Sequence, residues 1–372
     1  MLKYNSYLAR IYKTKSMPLL AAISKIDFPF KVDQQEIKQY AKDFFAPSFP
    51  QVERMLSAFD NTEIKTRNLC KPLDYYSSLH SFEEQNKVFI QLALDYSVKA
   101  VEECLALAQI KKEEITDLIF VSSTGLATPS LDALIINKMR LNPFISRIPI
   151  FGLGCGGGVS GFSKANILAK SNPDAVVLLV AVELCSLTFL RNDFSKSNFI
   201  GSSLFSDGVS ASIITGDNIE SKSKNKITFL ATQSKLYYDT LDIMGWEFLG
   251  TGFKVVFSQN IPAFISKNVR ADVTSFLVKQ NLTLSDIKNF IFHPGGKKVL
   301  TAYEEALSMN EDSLNNTREI MVNYGNMSSP TVLYVMEKFF KEGYEEGYGL
   351  MLSVGPGFST EMVLLQMKKT QK

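Results

Sequence analysis

The stretch Gly152-Leu153-Gly154-Cys155-Gly156-Gly157-Gly158 is where the reading of this chain turns, because of what flanks it. An apolar run of strand length (148–151) precedes it and a helical stretch (159–170) follows. A cysteine at such a strand-to-helix junction feels the positive end of the helix dipole, which lowers its pKa and favours thiolate. The glycines are expected to admit a substrate closely and to leave backbone N–H groups free as oxyanion donors. A buried structural cysteine is the plain alternative, and the glycine frame weighs against it. Residues 152–157 also match G-x-G-x-x-G. The match lies mid-chain, however, and its only acid at a usable offset, Asp174, precedes the next strand instead of ending it, so no nicotinamide cofactor is expected.

Working outward, two more Gly-rich breaks carry chemistry. Phe292-His293-Pro294-Gly295-Gly296 ends a strand-like run and turns an imidazole into a cleft. The chain has only 2 histidines, His80 and His293, so a cysteine needing a base has little choice. His293 is expected to take the thiol proton and form a thiolate–imidazolium pair. In Tyr324-Gly325-Asn326-Met327-Ser328-Ser329, Asn326 precedes a helical run (331–340). Two roles fit it equally: a helix N-cap, or a neutral donor to a developing oxyanion. A Cys–His–Asn set also suits a papain-like hydrolase, but the Cys-Gly-Ser-Cys-Trp signature is missing. The three segments together point to acyl-thioester chemistry without a nearby carboxylate.

The whole chain sets bounds. Its 372 residues allow one large or two ordinary domains, and 45% hydrophobic with 21% charged residues is a globular composition. A net charge of +2 argues against nucleic-acid binding. The 4 cysteines (Cys70, Cys104, Cys155, Cys185) are widely spaced, poor for zinc or a disulfide framework, so no metal and a reducing, cytoplasmic setting are expected. No stretch has the length of a membrane span. Lys3, Arg10, Lys13 and Lys15 before the apolar run 17–23 faintly resemble a signal peptide. The run is short, so 17–23 reads as a first strand and 1–16 as an N-terminal extension, a candidate for disorder.

Strand-length apolar runs at 117–122, 148–151, 176–182, 210–215, 227–231, 290–293, 350–354 and 362–365 alternate with helical stretches. Asp33 with Glu36, and Ser81 with Glu84, have capping-box spacing; Pro129-Ser130 opens another helix ending before Asn142-Pro143. The fold class is therefore α/β with layered sheets. The polar stretch 221–226 divides an N-terminal half (17–225) holding the cysteine from a C-terminal half (226–372) holding His293 and Asn326. The active site is expected between them.

At these residues the chain, over roughly 17–368, resembles the type III polyketide synthases, the chalcone synthase-like branch of the thiolase fold. The resemblance rests on Gly-Leu-Gly-Cys155, Phe-His293-Pro-Gly-Gly, Tyr-Gly-Asn326-Met-Ser328-Ser and the scaffold loop Gly355-Pro356-Gly357-Phe-Ser-Thr-Glu361. Leu204-Phe205-Ser206-Asp-Gly departs from the family's Leu-Phe-Gly-Asp-Gly at Ser206. The resemblance implies two related α/β halves and a homodimeric acyltransferase with no bound cofactor. Cys155 would carry the growing chain, while His293 and Asn326 stabilise the enolate formed as malonyl-CoA loses CO₂. A linear polyketide then cyclises in the same cavity.

It further implies that Phe205 is a gatekeeper, that Val255 is a smaller second gate, and that Trp246, Ser123, Thr124, Thr188 and Ser328 flank the substrate. Thr128 falls where a neighbouring subunit contributes, and Arg54 and Lys298 fall near CoA phosphates. The smaller gate and the bacterial-like Met244-Gly-Trp246-Glu-Phe suggest a fatty acyl-CoA starter giving a pyrone or resorcinol. Alternatives are an initiating ketoacyl synthase served by an acyl carrier protein, and a catalytically silent thiolase-fold scaffold.

Overall fold

The computed structural model describes residues 17–47 and 52–369; the extension 1–16 lies outside them. The first part of the chain forms β1 (Leu19–Lys25), β2 (Phe30–Asp33), α1 (Gln34–Phe45), α2 (Val52–Asp60), β3 (Thr66–Leu69) and α3 (Phe82–Ala108). Then come β4 (Asp117–Val121), α4 (Leu131–Met139), β5 (Ser146–Ile150), α5 (Gly157–Ser171), β6 (Val176–Leu184), α6 (Lys196–Leu204) and β7 (Asp207–Thr215). The remainder supplies β8 (Asn225–Leu236), β9 (Met244–Leu249), β10 (Gly252–Phe257), α7 (Ile261–Val278), β11 (Ile287–Phe292) and α8 (Lys297–Leu307). It closes with α9 (Asn315–Tyr324), α10 (Ser329–Glu342), β12 (Gly347–Gly355) and β13 (Ser359–Lys369).

Local chemistry explains the starts. Ser81 and Glu84 exchange both bonds of a capping box at the head of α3. Asp33 caps α1 differently from the expected box, accepting the Gln35 N–H at 2.8 Å, two residues on instead of three. The first strand begins at Leu19, two residues later than the apolar run.

The main strands follow the order β11-β12-β13-β8-β1-β7-β6-β4-β5. Only Leu19↔Thr228 pairs β1 with β8, so the array is a five-stranded and a four-stranded block joined at one point. The blocks repeat one pattern. β4 runs parallel to β6, which is antiparallel to β7, which is antiparallel to β1. Likewise β11 runs parallel to β12, then β13 and β8 follow antiparallel. In each block one helix precedes the middle strand, α5 before β6 and α10 before β12.

Those two helices occupy the centre. One apolar cluster joins Val159, Phe162 and Ala165 of α5 to Val332 and Met336 of α10 and to strands of both blocks. α10 is buried continuously from Ser329 to Phe339, as a helix covered on all sides must be. A second cluster packs α3 on the five-stranded block, and a third packs α7 and α8 on the four-stranded one. The result is an α–β–α–β–α stack in which β6 and β7 bury every residue; β6 is apolar but for Glu183, whereas β7 also buries Asp207, Ser210, Ser212 and Thr215. Each fully buried Val or Leu there contributes about 1.5–3 kcal/mol of transfer free energy.

Candidate functional site

The buried helices α5 and α10 meet at their N-termini, and this meeting builds the site. Cys155 lies on the 3₁₀ turn 154–156 that leads into α5. Ser328 is the cap of α10 and Asn326 stands two residues before it. The approach is close: a Cβ on Gly158 would lie 2.3 Å from the Ser329 carbonyl, and one on Gly154 would lie 2.8 Å from the Pro356 ring. Gly157 and Gly158 therefore admit the head of α10 and Gly154 the Pro356 loop, a packing role beside the substrate approach that the sequence suggested. Two of their N–H groups are already engaged. Gly154 donates to Ser123 Oγ (3.0 Å) and Gly156 to the Leu153 carbonyl (2.9 Å).

Burial dominates the electrostatics. The Cys155 thiol is 8% exposed and desolvation pushes its pKa up to about 12, outweighing the helix-dipole effect expected from its position. The Ser328 hydroxyl and the Asn326 amide, placed to donate to the sulfur, act in the opposite sense; the charge of Glu183 adds to the rise. His293 follows β11 and is 1% exposed, with no partner on either ring nitrogen. Burial holds its pKa down at about 3, so the imidazole is neutral. Burial thus works against the charge on both groups that the expected thiolate–imidazolium pair requires.

Asn326 does not cap α10. Its Oδ1 accepts the Ser328 N–H at 2.8 Å, which turns Nδ2 toward Cys155 and the Gly295 carbonyl (3.4 Å). Its backbone is clamped to the Phe205 segment: Asn326 N–H donates to the Leu204 carbonyl (3.0 Å) and Ser206 N–H to the Asn326 carbonyl (2.9 Å). Ser328 has φ +56 and ψ −129, a conformation that ordinarily requires glycine.

Sequence reasoning missed Glu183, at the end of β6. It is fully buried and accepts from Ser123 N–H (2.9 Å), Thr124 Oγ1 (2.8 Å) and Ser329 Oγ (2.9 Å). Burial raises its pKa to about 7. This carboxylate ties the Ser123 loop to the head of α10, and it corrects the expectation that none stands near the cysteine. A lone acid closing a nine-residue apolar strand was the available signal.

Beside this constellation lies a cavity with about 690 Å³ of empty space, part of it open to solvent. Phe205, Thr188, Trp246 and Val255 line it, with Cys185, Phe45 and Tyr76. Trp246 and Val255 are cross-strand partners in the β9–β10 hairpin, and the Phe205 ring sits 6.3 Å from that of Trp246. Ser123 and Thr124 are instead engaged with Gly154 and Glu183, and Thr128 is exposed. Arg54 is exposed on α2, and Lys298 is exposed in the first turn of α8. The loop of Gly355, Pro356 and Gly357 presses against the cysteine turn. Among the described residues no group of three or more His, Cys, Asp or Glu could hold a metal, and no helix is long and apolar enough to cross a membrane.

Comparison with known proteins agrees with this geometry. The model of the N-terminal domain of chalcone and stilbene synthases matches residues 65–218, and that of the C-terminal domain matches 230–368. A putative chalcone synthase of Bacillus subtilis (strain 168) is 41% identical over 350 residues, 91% of this chain and 96% of that protein. The 1,3,6,8-tetrahydroxynaphthalene synthase of Streptomyces peucetius subsp. caesius is 34% identical over 305 residues, 82% of this chain and 81% of that one. Among solved structures, the 1,3,6,8-tetrahydroxynaphthalene synthase of Streptomyces coelicolor A3(2), a bacterial type III polyketide synthase, superposes with a TM-score of 0.89 at 26% identity, covering 95% of this chain and 100% of that one. The chain belongs to the chalcone and stilbene synthase family and is a type III polyketide synthase, an acyltransferase acting on CoA thioesters.

Proposed function

We propose that this synthase loads a fatty acyl group from CoA onto Cys155, extends it with malonyl-CoA and closes the product as a pyrone or resorcinol. The observation that carries the starter assignment is the apolar cavity behind Phe205, walled by Phe45, Leu69, Leu73 and Tyr76. An alkyl chain there exchanges water for apolar contact.

The residue roles follow from the charge state of the empty site. A neutral imidazole can accept the thiol proton as Cys155 attacks the incoming thioester, so the charged pair forms only when it is used. During decarboxylation the developing enolate oxygen takes hydrogen bonds from Asn326 Nδ2 and a His293 N–H, both aimed before the charge appears. The enolate carbon then attacks the Cys155 thioester and the thiolate leaves, ready to receive the chain again. Arg54 and Lys298 lie on the CoA side, Phe205 and Val255 gate the cavity, and Thr128 faces a second subunit. Starter delivery as a CoA thioester, without a carrier protein, suits this arrangement.

The halves 17–225 and 226–372 act as one unit in a cytoplasmic homodimer formed along the open edge at β5, where Phe144 and Phe151 are exposed. A panel of starter CoA esters with labelled malonyl-CoA, read by mass spectrometry, tests the proposal. Long-chain starters should give extended products and Cys155→Ala should give none. Turnover with short or aromatic starters alone would overturn the starter assignment. Retained extension in Cys155→Ala, or iodoacetamide reactivity at Cys155 no greater than at Cys70 or Cys104, would overturn the nucleophile.

A further inference from the structure

The cavity behind Phe205 contains one charge among its apolar walls. Arg67, on β3, is 2% exposed and is the single charged residue among the described residues of the lining. Its Nη1 donates to the Phe205 carbonyl at 2.8 Å, while Nε and Nη2 have no partner. Those two nitrogens form the side-on edge of the guanidinium, where two parallel N–H bonds meet both oxygens of a carboxylate. The nearest acid cannot serve. Asp207 is occupied by the Ser186 N–H (2.8 Å), the Cys70 N–H (2.6 Å) and the Ser186 hydroxyl (2.6 Å), and acts on Arg67 only through its field. Burial lowers the guanidinium to about 9, which leaves it protonated at neutral pH.

The Tyr40 hydroxyl of the lining is likewise without a partner, while three further polar walls are spoken for. Asn198 Nδ2 donates to the Leu190 and Asp193 carbonyls, Thr188 to the Cys185 carbonyl, and Tyr76 to Ser186. A buried cation with a free bidentate edge in an otherwise apolar cavity is electrostatically incomplete until an occupant brings two acceptor oxygens.

We propose that Arg67 selects the starter by gripping a carboxylate at the free end of the acyl chain, so that the preferred starter is the CoA monothioester of a dicarboxylic acid. This rests on the reading that a starter loaded on Cys155 extends its chain into the cavity. The apolar walls carry the methylenes and Arg67 reads the terminus.

The test compares suberyl-CoA with octanoyl-CoA, and adipyl-CoA with hexanoyl-CoA, as primers of malonyl-CoA extension. Wild type should favour the dicarboxylyl member by about tenfold or more in kcat/KM, the scale of a charge-assisted bidentate pair. Arg67→Gln, which keeps a donor for the Phe205 carbonyl, should erase that preference and leave octanoyl-CoA within about threefold of wild type. Equal use of both members by wild type, or equal loss of both in the variant, overturns the inference; the latter marks Arg67 as support for the gate alone. Should the variant not fold, free suberate must protect wild-type Cys155 from alkylation at lower concentration than octanoate, and failure to do so has the same force. If octanoyl-CoA primes and suberyl-CoA is no better, only this inference falls. If neither primes, the acyl-starter reading falls with it.

Discussion

Replacing Gly158 by alanine puts one methyl group where the two central helices touch. The new Cβ would lie 2.3 Å from the Ser329 carbonyl oxygen and 2.8 Å from a Val332 methyl. Ordinary contact begins at 3.4 Å, so the helices must part by about 1 Å (3.4 − 2.3) at this point. Neither neighbour can give way cheaply, since one is backbone and both are fully buried. Overpacking of this kind costs about 1–3 kcal/mol. The displacement also separates Cys155, on the turn leading into α5, from Ser328 and Asn326 at the head of α10. A misplacement of about 1 Å between reacting groups lowers turnover by about 10²-fold. Urea unfolding and malonyl-CoA turnover are the assays, with Gly250→Ala, which meets nothing within 4 Å, as the control expected to stay within about 0.5 kcal/mol. A Gly158→Ala protein with wild-type midpoint and wild-type turnover would refute the close-packed helix junction.

Three further outcomes are expected. Ser328→Gly relieves a strained backbone worth about 1–3 kcal/mol, less about 0.5–1 for glycine's added freedom, so unfolding should shift to higher denaturant while turnover drops with loss of the hydroxyl facing Cys155. For His293, the folded pKa of about 3 lies below the unfolded value of about 6.5, so the unfolded chain binds the proton first. Its contribution is intact above pH ~6.5 and is lost as pH falls toward ~3, amounting to about 5 kcal/mol. Urea titrations from pH 7 to 4 should show a steeper loss in wild type than in His293→Gln, and parallel slopes would sink the claim. Val255→Phe should narrow the mouth between Phe205 and Trp246 and lower kcat/KM for long-chain starters about tenfold while sparing short ones; an unchanged chain-length profile would count against the gate.

Much of the molecule was legible from local signals. An almost unbroken apolar run marked β6, because a strand covered on both faces has no polar side to show. Ser81 with Glu84 marked the start of α3, because a capping box is complete within four residues. Cys155, His293 and Asn326 were recognisable because each stands at a break that its own neighbours encode. The capping bond of Asp33 was misjudged by one residue, since its spacing admits either geometry.

What no local pattern could reveal is how distant segments alter one another. The thiol of Cys155 was expected low and lies high, because its environment comes from the enclosing layers, which remove the water that would solvate a thiolate. The glycines were assigned to substrate access, and two of them, Gly157 and Gly158, also admit α10, a helix distant in sequence. Glu183 and Arg67 carry no motif; each gains meaning from burial and from which of its bonds are filled or left open. The sequence by itself determined the candidate residues and the elements that carry them, since these depend on residue type and short-range periodicity. The tertiary structure alone decided their charge states, their orientation and the shape of the cavity, because desolvation and hydrogen-bond geometry depend on neighbours that the chain brings together only by folding.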